Sequence, residues 1–191
     1  WTYAEACATL PDGRLPAWRF RAPDRDVAWT DRVRGPQRCN VARTTGDFVL
    51  ARHPDGAGYQ LAVVVDDAAM GVTEVLRGDD LCNSTARQIL LQDALDLPRP
   101  DYAHVPLVVG PDGRRLAKRH GDTRLAAVRA AGTRPERVVG WLAASCGWAD
   151  PGACLSPRDL LECYDPDTLP RDPVVVGPEV LAELGLAPPT A

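Results

Sequence analysis

The chain has 191 residues, 45% hydrophobic and 25% charged, with a formal net charge of −4 at pH 7. That length suffices for one sizeable core plus a small appendage, and the proportions are those of an ordinary soluble globular protein. An acidic total excludes nucleic-acid binding through overall charge, and no apolar run is long enough to span a membrane.

The sequence opens on Trp1-Thr2-Tyr3 without an initiating Met and without a signal peptide, as though cut from something longer or processed. Tyr3 to Leu10 reads as a short helix and Pro11-Asp12-Gly13 as a turn. Trp18 to Arg21, Val27 to Asp31 and Asp47 to Arg52 read as strands; Gly35-Pro36 and Pro54-Asp55-Gly56 read as the turns after the second and third. Residues 1–58 are thus β-rich, irregular and full of turns. The character changes at Tyr59. Tyr59 to Met70 predicts a helix capped by Gly71, and Val72 to Leu76 a β-branched strand.

A second helix is expected to open at Ser84, with Thr85 and Gln88 in capping-box spacing. Leu90, Leu91, Ala94 and Leu95 supply its apolar stripe, and Asp96-Leu97-Pro98 ends it. Val105 to Val109, broken only by Pro106, predicts a buried strand, and Gly110-Pro111-Asp112-Gly113 a tight turn. Helix, strand, helix, strand in this order implies a parallel pair joined by a right-handed crossover, the half-unit of a nucleotide-binding α/β sheet.

Beyond Gly121, Asp122 or Thr123 is expected to cap a helix running through Ala131 and stopped at Gly132. Pro135 opens another helix, and Ser156 caps a short third with Leu160, Leu161 and Tyr164 facing inward. Residues 170–191 are proline-rich and expected to be partly frayed, with a helical turn or two between Pro178 and Gly185.

The six cysteines, at 7, 39, 82, 146, 154 and 163, lack the close pairing of a zinc knuckle. They read as reduced thiols of a cytoplasmic protein, with no metal site expected in this chain. Positive charge gathers between Asp112 and Arg137, where eight Arg or Lys face three acids. Lys118 is the only lysine in the chain. A mobile ammonium suits a loop that follows a phosphate through a reaction, whereas a solvated basic hairpin tip is the bland alternative.

Two stretches carry a resemblance. Arg115-Leu116-Ala117-Lys118-Arg119 is similar to the Lys-Met-Ser-Lys-Ser loop of class I aminoacyl-tRNA synthetases. The longer run from Tyr59 through Asp66-Asp67 to Arg77-Gly78-Asp79-Asp80 and Ser84-Thr85 resembles the second half of the catalytic domain of glutamyl-tRNA synthetases. The resemblance implies a Rossmann-type α/β catalytic half over residues 59–122. Residues 1–58 would be the end of an acceptor-binding insertion, and residues 123–191 a helical region contacting tRNA. It implies adenylation of glutamate by ATP with Mg2+, then transfer to tRNA, by a monomer.

In that family the position of Tyr59 lines the glutamate pocket and that of Arg77 pairs with the substrate's side-chain carboxylate, a task suited to a planar guanidinium. Packing alone for Tyr59, and an ion pair with Asp66, Asp67 or Asp79 for Arg77, are the competing readings. Asp79, Val105, Leu107 and Leu116 would border ATP. Arg115, Lys118 and Arg119 would stabilise the triphosphate and the departing pyrophosphate. His104 reads as a satisfied core histidine.

Within the family the glutamyl-Q branch, which attaches glutamate to queuosine in the anticodon of tRNA-Asp, is favoured on two grounds. The chain stops about seventy residues after the basic loop, leaving no room for a large anticodon-binding domain, and Val63 stands where ordinary members carry Asn. Departures are equally plain: no His-x-Gly-His motif is present, Arg115 and Ala117 replace the loop's first Lys and its Ser, and the paired zinc-binding cysteines of many glutamyl-Q enzymes are not recognisable near Trp1. Zinc is therefore expected only upstream. The chain reads as the C-terminal two-thirds of such an enzyme, with little activity alone. A fragment of an ordinary glutamyl-tRNA synthetase and a non-catalytic tRNA-binding remnant are the alternatives.

Overall fold

A computed structural model describes residues 16–53, 56–116 and 123–186. The expected helix at Tyr3 to Leu10 and the turn after it lie outside those residues, as do Lys118, Arg119 and His120. The described chain is mixed α/β and falls into two compact units, Trp1–His104 and Val105–Ala191.

In the first unit β1 (Trp18–Phe20), β2 (Asp26–Asp31) and β3 (Gly35–Asn40) lead into a one-turn helix, α1 (Val41–Thr44). They are followed by β4 (Phe48–His53) and β5 (Gly56–Ala57), then α2 (Tyr59–Met70), β6 (Glu74–Gly78), a 3-10 turn at Asp79–Leu81, α3 (Cys82–Leu95) and β7 (Asp101–Val105). One sheet has the order β1-β4-β5 and is antiparallel; the other has the order β3-β2-β7-β6. In the second sheet β2 and β3 form an antiparallel hairpin, and β2 meets β7 in parallel at Asp31 and Tyr102. Neighbouring strands β6 and β7 are joined through α3, the strand–helix–strand unit the sequence implies.

The hairpin corrects one expectation. Gly35-Pro36 is not the turn but the start of the return strand, and the turn comes earlier, at residues 32–34. Proline is tolerated because β3 is an edge strand, with a partner on one side only. The strand expected at Val72 begins two residues later, which places Arg77 inside β6 rather than after it.

Helix α2 runs over the predicted span, and Gly71 closes it in the left-handed conformation, at φ 69°. Gly58 opens it with its N–H 2.5 Å from the Leu50 carbonyl; a Cβ at that position would sit 3.0 Å from the same oxygen.

Helix α3 ends where expected, with Asp96 as its left-handed cap, but departs from expectation at its start and along its apolar face. It begins at Cys82, so Thr85 is not its cap but a fully buried residue of its first turn. Ala94 and Leu95 are exposed, and the apolar face is Ala86, Ile89, Leu90 and Leu91 instead. These join Val27, Val41, Phe48, Val64 and Tyr102 in the core, so both helices and both sheets contribute to it.

In the second unit the expected strand Val105 to Val109 is two pieces. β7 ends at Val105, and after Pro106-Leu107 the chain resumes as β8 (Val108–Val109). The turn at residues 110–113 is as predicted: the Gly113 N–H donates to the Gly110 carbonyl at 2.9 Å, and Gly113 has φ 71°. Next come α4 (Leu125–Ala130), α5 (Pro135–Ser145), 3-10 turns at Asp159–Glu162 and Pro166–Thr168, β9 (Val174–Val175) and α6 (Pro178–Glu183). α4 starts two residues after Thr123, without a side-chain cap. Pro135 is in the first turn of α5, as expected.

Ser156 and Asp159 cap one another reciprocally, at 2.7 and 3.3 Å. Leu161 and Tyr164 nevertheless face out rather than in, and Tyr164 packs its ring edgewise on Trp148. The stretch after Pro170 is not frayed as far as Leu186. β9 pairs in parallel with β8, and Val176, Leu181 and Leu184 are buried with Val109, Val128 and Ala143.

Packing is close at Gly140, in the middle of α5. A Cβ there would lie 1.8 Å from the Ala153 carbonyl oxygen, so helix and loop touch backbone to backbone. Gly140→Ala must push that loop away. It is expected to destabilise the protein by about 1–3 kcal/mol, in the range of core overpacking. Thermal unfolding of the variant checks this, and an unchanged melting temperature would contradict the contact.

Candidate functional site

Arg77 lies half-buried on β6, and four acceptors hold its guanidinium. Nε donates to His104 Nε2 at 3.0 Å. Nη2 donates to Gln88 Oε1 at 2.7 Å and Thr85 Oγ1 at 3.0 Å, with the Leu81 carbonyl at 3.4 Å. The guanidinium carbon also sits 5.5 Å from the centre of the buried Tyr102 ring, a cation–π distance.

None of these partners is charged. No ion pair joins Arg77 to Asp66, Asp67 or Asp79, contrary to the competing reading; Asp79 instead pairs with Arg34 of the β2–β3 turn at 3.5 Å. Nη1 has no hydrogen bond among the described residues. In this conformation the Nε–Nη2 edge is occupied and Nη1 is the nitrogen left for a further acceptor.

Behind Arg77 stands a buried acid. His104 is fully buried, as the sequence reading supposed, and its Nδ1 lies 2.5 Å from Asp31 Oδ2. An arginine Nε can only donate, so His104 Nε2 must accept. The ring is then neutral with its proton on Nδ1, pointing at Asp31. Asp31 also accepts the backbone N–H groups of Val33, Arg34 and His104, at 3.1, 2.9 and 3.2 Å. Burial would push its carboxyl up, but the Arg34 N–H and the bonds from His104 outweigh it and hold the group below the usual carboxylate range.

A polar path also reaches the start of α2. Gln88 Nε2 donates to Gln60 Oε1 at 3.0 Å, and Gln60 Nε2 donates to Ser84 Oγ at 3.1 Å. Tyr59, next to Gln60, is 53% exposed, so it is not a core packing residue. Val63 is half-buried against the core. Arg77, Tyr59 and Asp79 thus belong to the first unit. Val105, Leu107, Leu116 and Arg115 belong to the second. There the Leu107 carbonyl accepts the Val174 N–H at 2.9 Å, and Arg115 lies exposed where the hairpin closes, bridged to Val109. A guanidinium at that place has the chemistry to meet polyphosphate oxygens.

A family model described as tRNA synthetases class I (E and Q), catalytic domain, matches residues 8–154. The chain belongs to that family. It is 51% identical to the glutamyl-Q tRNA(Asp) synthetase of Symbiobacterium thermophilum over 96% of its own length and 56% of that relative's. It is 39% identical to a glutamate–tRNA ligase of Citrifermentans bemidjiense, over 94% of itself and 39% of that protein. The crystal structure of a glutamate tRNA ligase from Elizabethkingia meningosepticum in complex with its amino acid matches with a TM-score of 0.76 at 26% identity. That match covers 96% of this chain and 40% of the other. The chain spans about half the length of the glutamyl-Q relative it matches.

The residues of this class I synthetase chain that sequence reasoning missed are Asp31, Gln60, Thr85 and Gln88. The pattern on α3 pointed the wrong way: Ser84, Gln88 and Gln92 recur every fourth residue, as a solvent-facing stripe does, yet all three are buried. Among the described residues no cluster of His, Cys, Asp or Glu could hold a metal ion, and no helix is long and apolar enough to cross a membrane. The five described cysteines are free thiols, and burial pushes those of Cys82 and Cys146 up.

Proposed function

We propose that the chain serves ATP-dependent activation of glutamate to glutamyl-adenylate and transfer of the glutamyl group to tRNA, with queuosine in the anticodon of tRNA-Asp as acceptor. The observation that carries the amino-acid half of this reading is Arg77. It is a cation fixed by four neutral acceptors, with one nitrogen left over and no carboxylate in contact among the described residues. Such a group retains its full charge for an anionic ligand. Tyr59 is exposed at the start of the helix that carries Gln60, and in this reading it lines the glutamate pocket.

In this reading Asp79, Val105, Leu107 and Leu116 border ATP, while Arg115, Lys118 and Arg119 meet its phosphates with Mg2+. Glutamate's own α-carboxylate is the nucleophile, so no general base is required. Residues 1–58 end an acceptor-binding insertion, residues 59–122 form half of the nucleotide-binding domain, and residues 123–191 face tRNA. The queuosine acceptor is supported by 51% identity to a relative named for it, against 39% for a glutamate–tRNA ligase.

The test is charging of tRNA-Asp, with and without queuosine, by the complete gene product. Glutamate should be attached only to the queuosine-bearing tRNA. Charging of tRNA-Glu in its place would assign the chain to the ordinary branch, and binding of tRNA without any adenylation would make it a recognition module.

A further inference from the structure

Two buried groups lie behind Arg77 and touch no candidate ligand position. Asp31 and His104 are 1% and 0% exposed, and they form a chain of hydrogen bonds: Asp31 carboxylate, imidazole Nδ1–H, imidazole Nε2, Arg77 Nε–H. A direct Asp31–Arg77 ion pair would have fixed the guanidinium equally well, but it would have cancelled much of the charge a carboxylate ligand must find. Interposing a neutral imidazole fixes the plane of the guanidinium and keeps the counter-charge one ring away. It also fixes which edge is occupied. With Nε committed to His104 and Nη2 to Gln88 and Thr85, Nη1 is the nitrogen without a hydrogen bond among the described residues.

We propose that Asp31 and His104 are positioning residues that orient Arg77 and thereby set the affinity for the side-chain carboxylate of the amino-acid substrate. The proposal rests on the assignment of Arg77 to that carboxylate. Asp31 holds the imidazole, and the imidazole holds the arginine. The fixed tautomer is part of the device, because a ring with its proton on Nε2 would present a donor to a donor.

His104 allows a clean dissection. Asparagine can replace the Nδ1 side of the ring and glutamine the Nε2 side. In the complete gene product, glutamate-dependent ATP–pyrophosphate exchange gives separate KM values for glutamate and ATP. His104→Asn is expected to raise the glutamate KM by roughly ten- to a hundredfold, the range for losing a hydrogen bond to a charged group. The ATP KM should stay within about twofold on the same scale, since no ATP-binding interaction is touched. His104→Gln, which restores an acceptor for Arg77 Nε, should recover most of that loss at similar thermal stability. Asp31→Ala should move the glutamate KM in the same direction as His104→Asn.

A readout on the unmodified protein stands beside these. Nitrogen NMR of the histidine rings should show His104 with Nδ1 protonated and Nε2 as a bare acceptor. A protonated Nε2, or equal glutamate KM values for the Asn and Gln variants, would overturn the proposal. Arg77→Ala separates the two levels of the argument. If it raises the glutamate KM while His104→Asn and Asp31→Ala do not, the positioning role fails alone. If Arg77→Ala also leaves it unchanged, the pocket assignment fails and the positioning role falls with it.

Discussion

Arg77→Ala is expected to raise the glutamate KM in pyrophosphate exchange by roughly a hundred- to a thousandfold, the scale of removing one partner from a desolvated charge pair. The loss has two parts. The substrate carboxylate forfeits its cation, and Gln88, Thr85 and His104 are left with unmet acceptors inside the first unit. Arg77→Lys should rescue little. An ammonium is a single point of charge and cannot reach His104 on one edge and Gln88 on another while still presenting a free corner. A lysine variant with near-normal affinity would show that charge alone suffices and that the four-acceptor cradle is incidental. Glutamine offered as a competing substrate should discriminate poorly between the parent and the Arg77→Ala variant, because its neutral amide gains little from the cation.

Lys118→Ala is expected to lower kcat for adenylation by roughly a hundredfold or more, the scale of losing one donor to developing transition-state charge, with a much smaller change in glutamate KM. Lys118 lies outside the described residues, so this expectation rests on sequence: the chain's sole lysine, three positions after an exposed arginine at the foot of a tight hairpin, in a loop similar to one that grips ATP phosphates. The two variants should separate kinetically. In the proposed roles Arg77 would act on substrate that is bound before and during the step, so its loss should fall mainly on KM. Lys118 would act on charge that develops as pyrophosphate leaves, so its loss should fall on kcat. Unchanged exchange after Lys118→Ala would remove the loop from the chemistry.

Much of the architecture was readable from residue order because the signals were local. Tyr59–Met70 has no breaker until Gly71, and the helix has those bounds. Gly110-Pro111-Asp112-Gly113 can hardly do anything except turn, and it turns. The misreadings occurred where tertiary context outweighed local chemistry. Thr85 and Gln88 have the spacing of a cap, but the 3-10 turn at Asp79–Leu81 starts the helix early and carries both residues into the interior, where Arg77 claims them. Gly35-Pro36 resembles a turn, yet Asp31 already closes the turn by accepting two backbone N–H groups, and the proline falls on an edge strand.

The site divided in the same manner. Arg77 and Tyr59 were singled out as candidates because they sit within a long stretch of family-like sequence. Asp31 was not. It lies 46 positions before Arg77, and the two come together because β2 and β6 flank β7 in one sheet, with His104 of β7 between them. No spacing rule spans that distance. His104 was correctly read as buried and satisfied, but its satisfaction is itself the link between Asp31 and Arg77.

The double duty of Asp31 limits how this molecule can drift. The same carboxylate that steadies the imidazole also ties the bend of the hairpin through the amides of Val33 and Arg34, and Arg34 reaches Asp79. An insertion or deletion of one residue in that bend would move the Val33 and Arg34 amides off the carboxylate and shift the return strand by one place against β2. The loop at 32–34, where Val33 is itself buried, should therefore be as intolerant of length change as the interior. A scan of single-residue insertions there, scored by glutamate affinity, would register that intolerance directly.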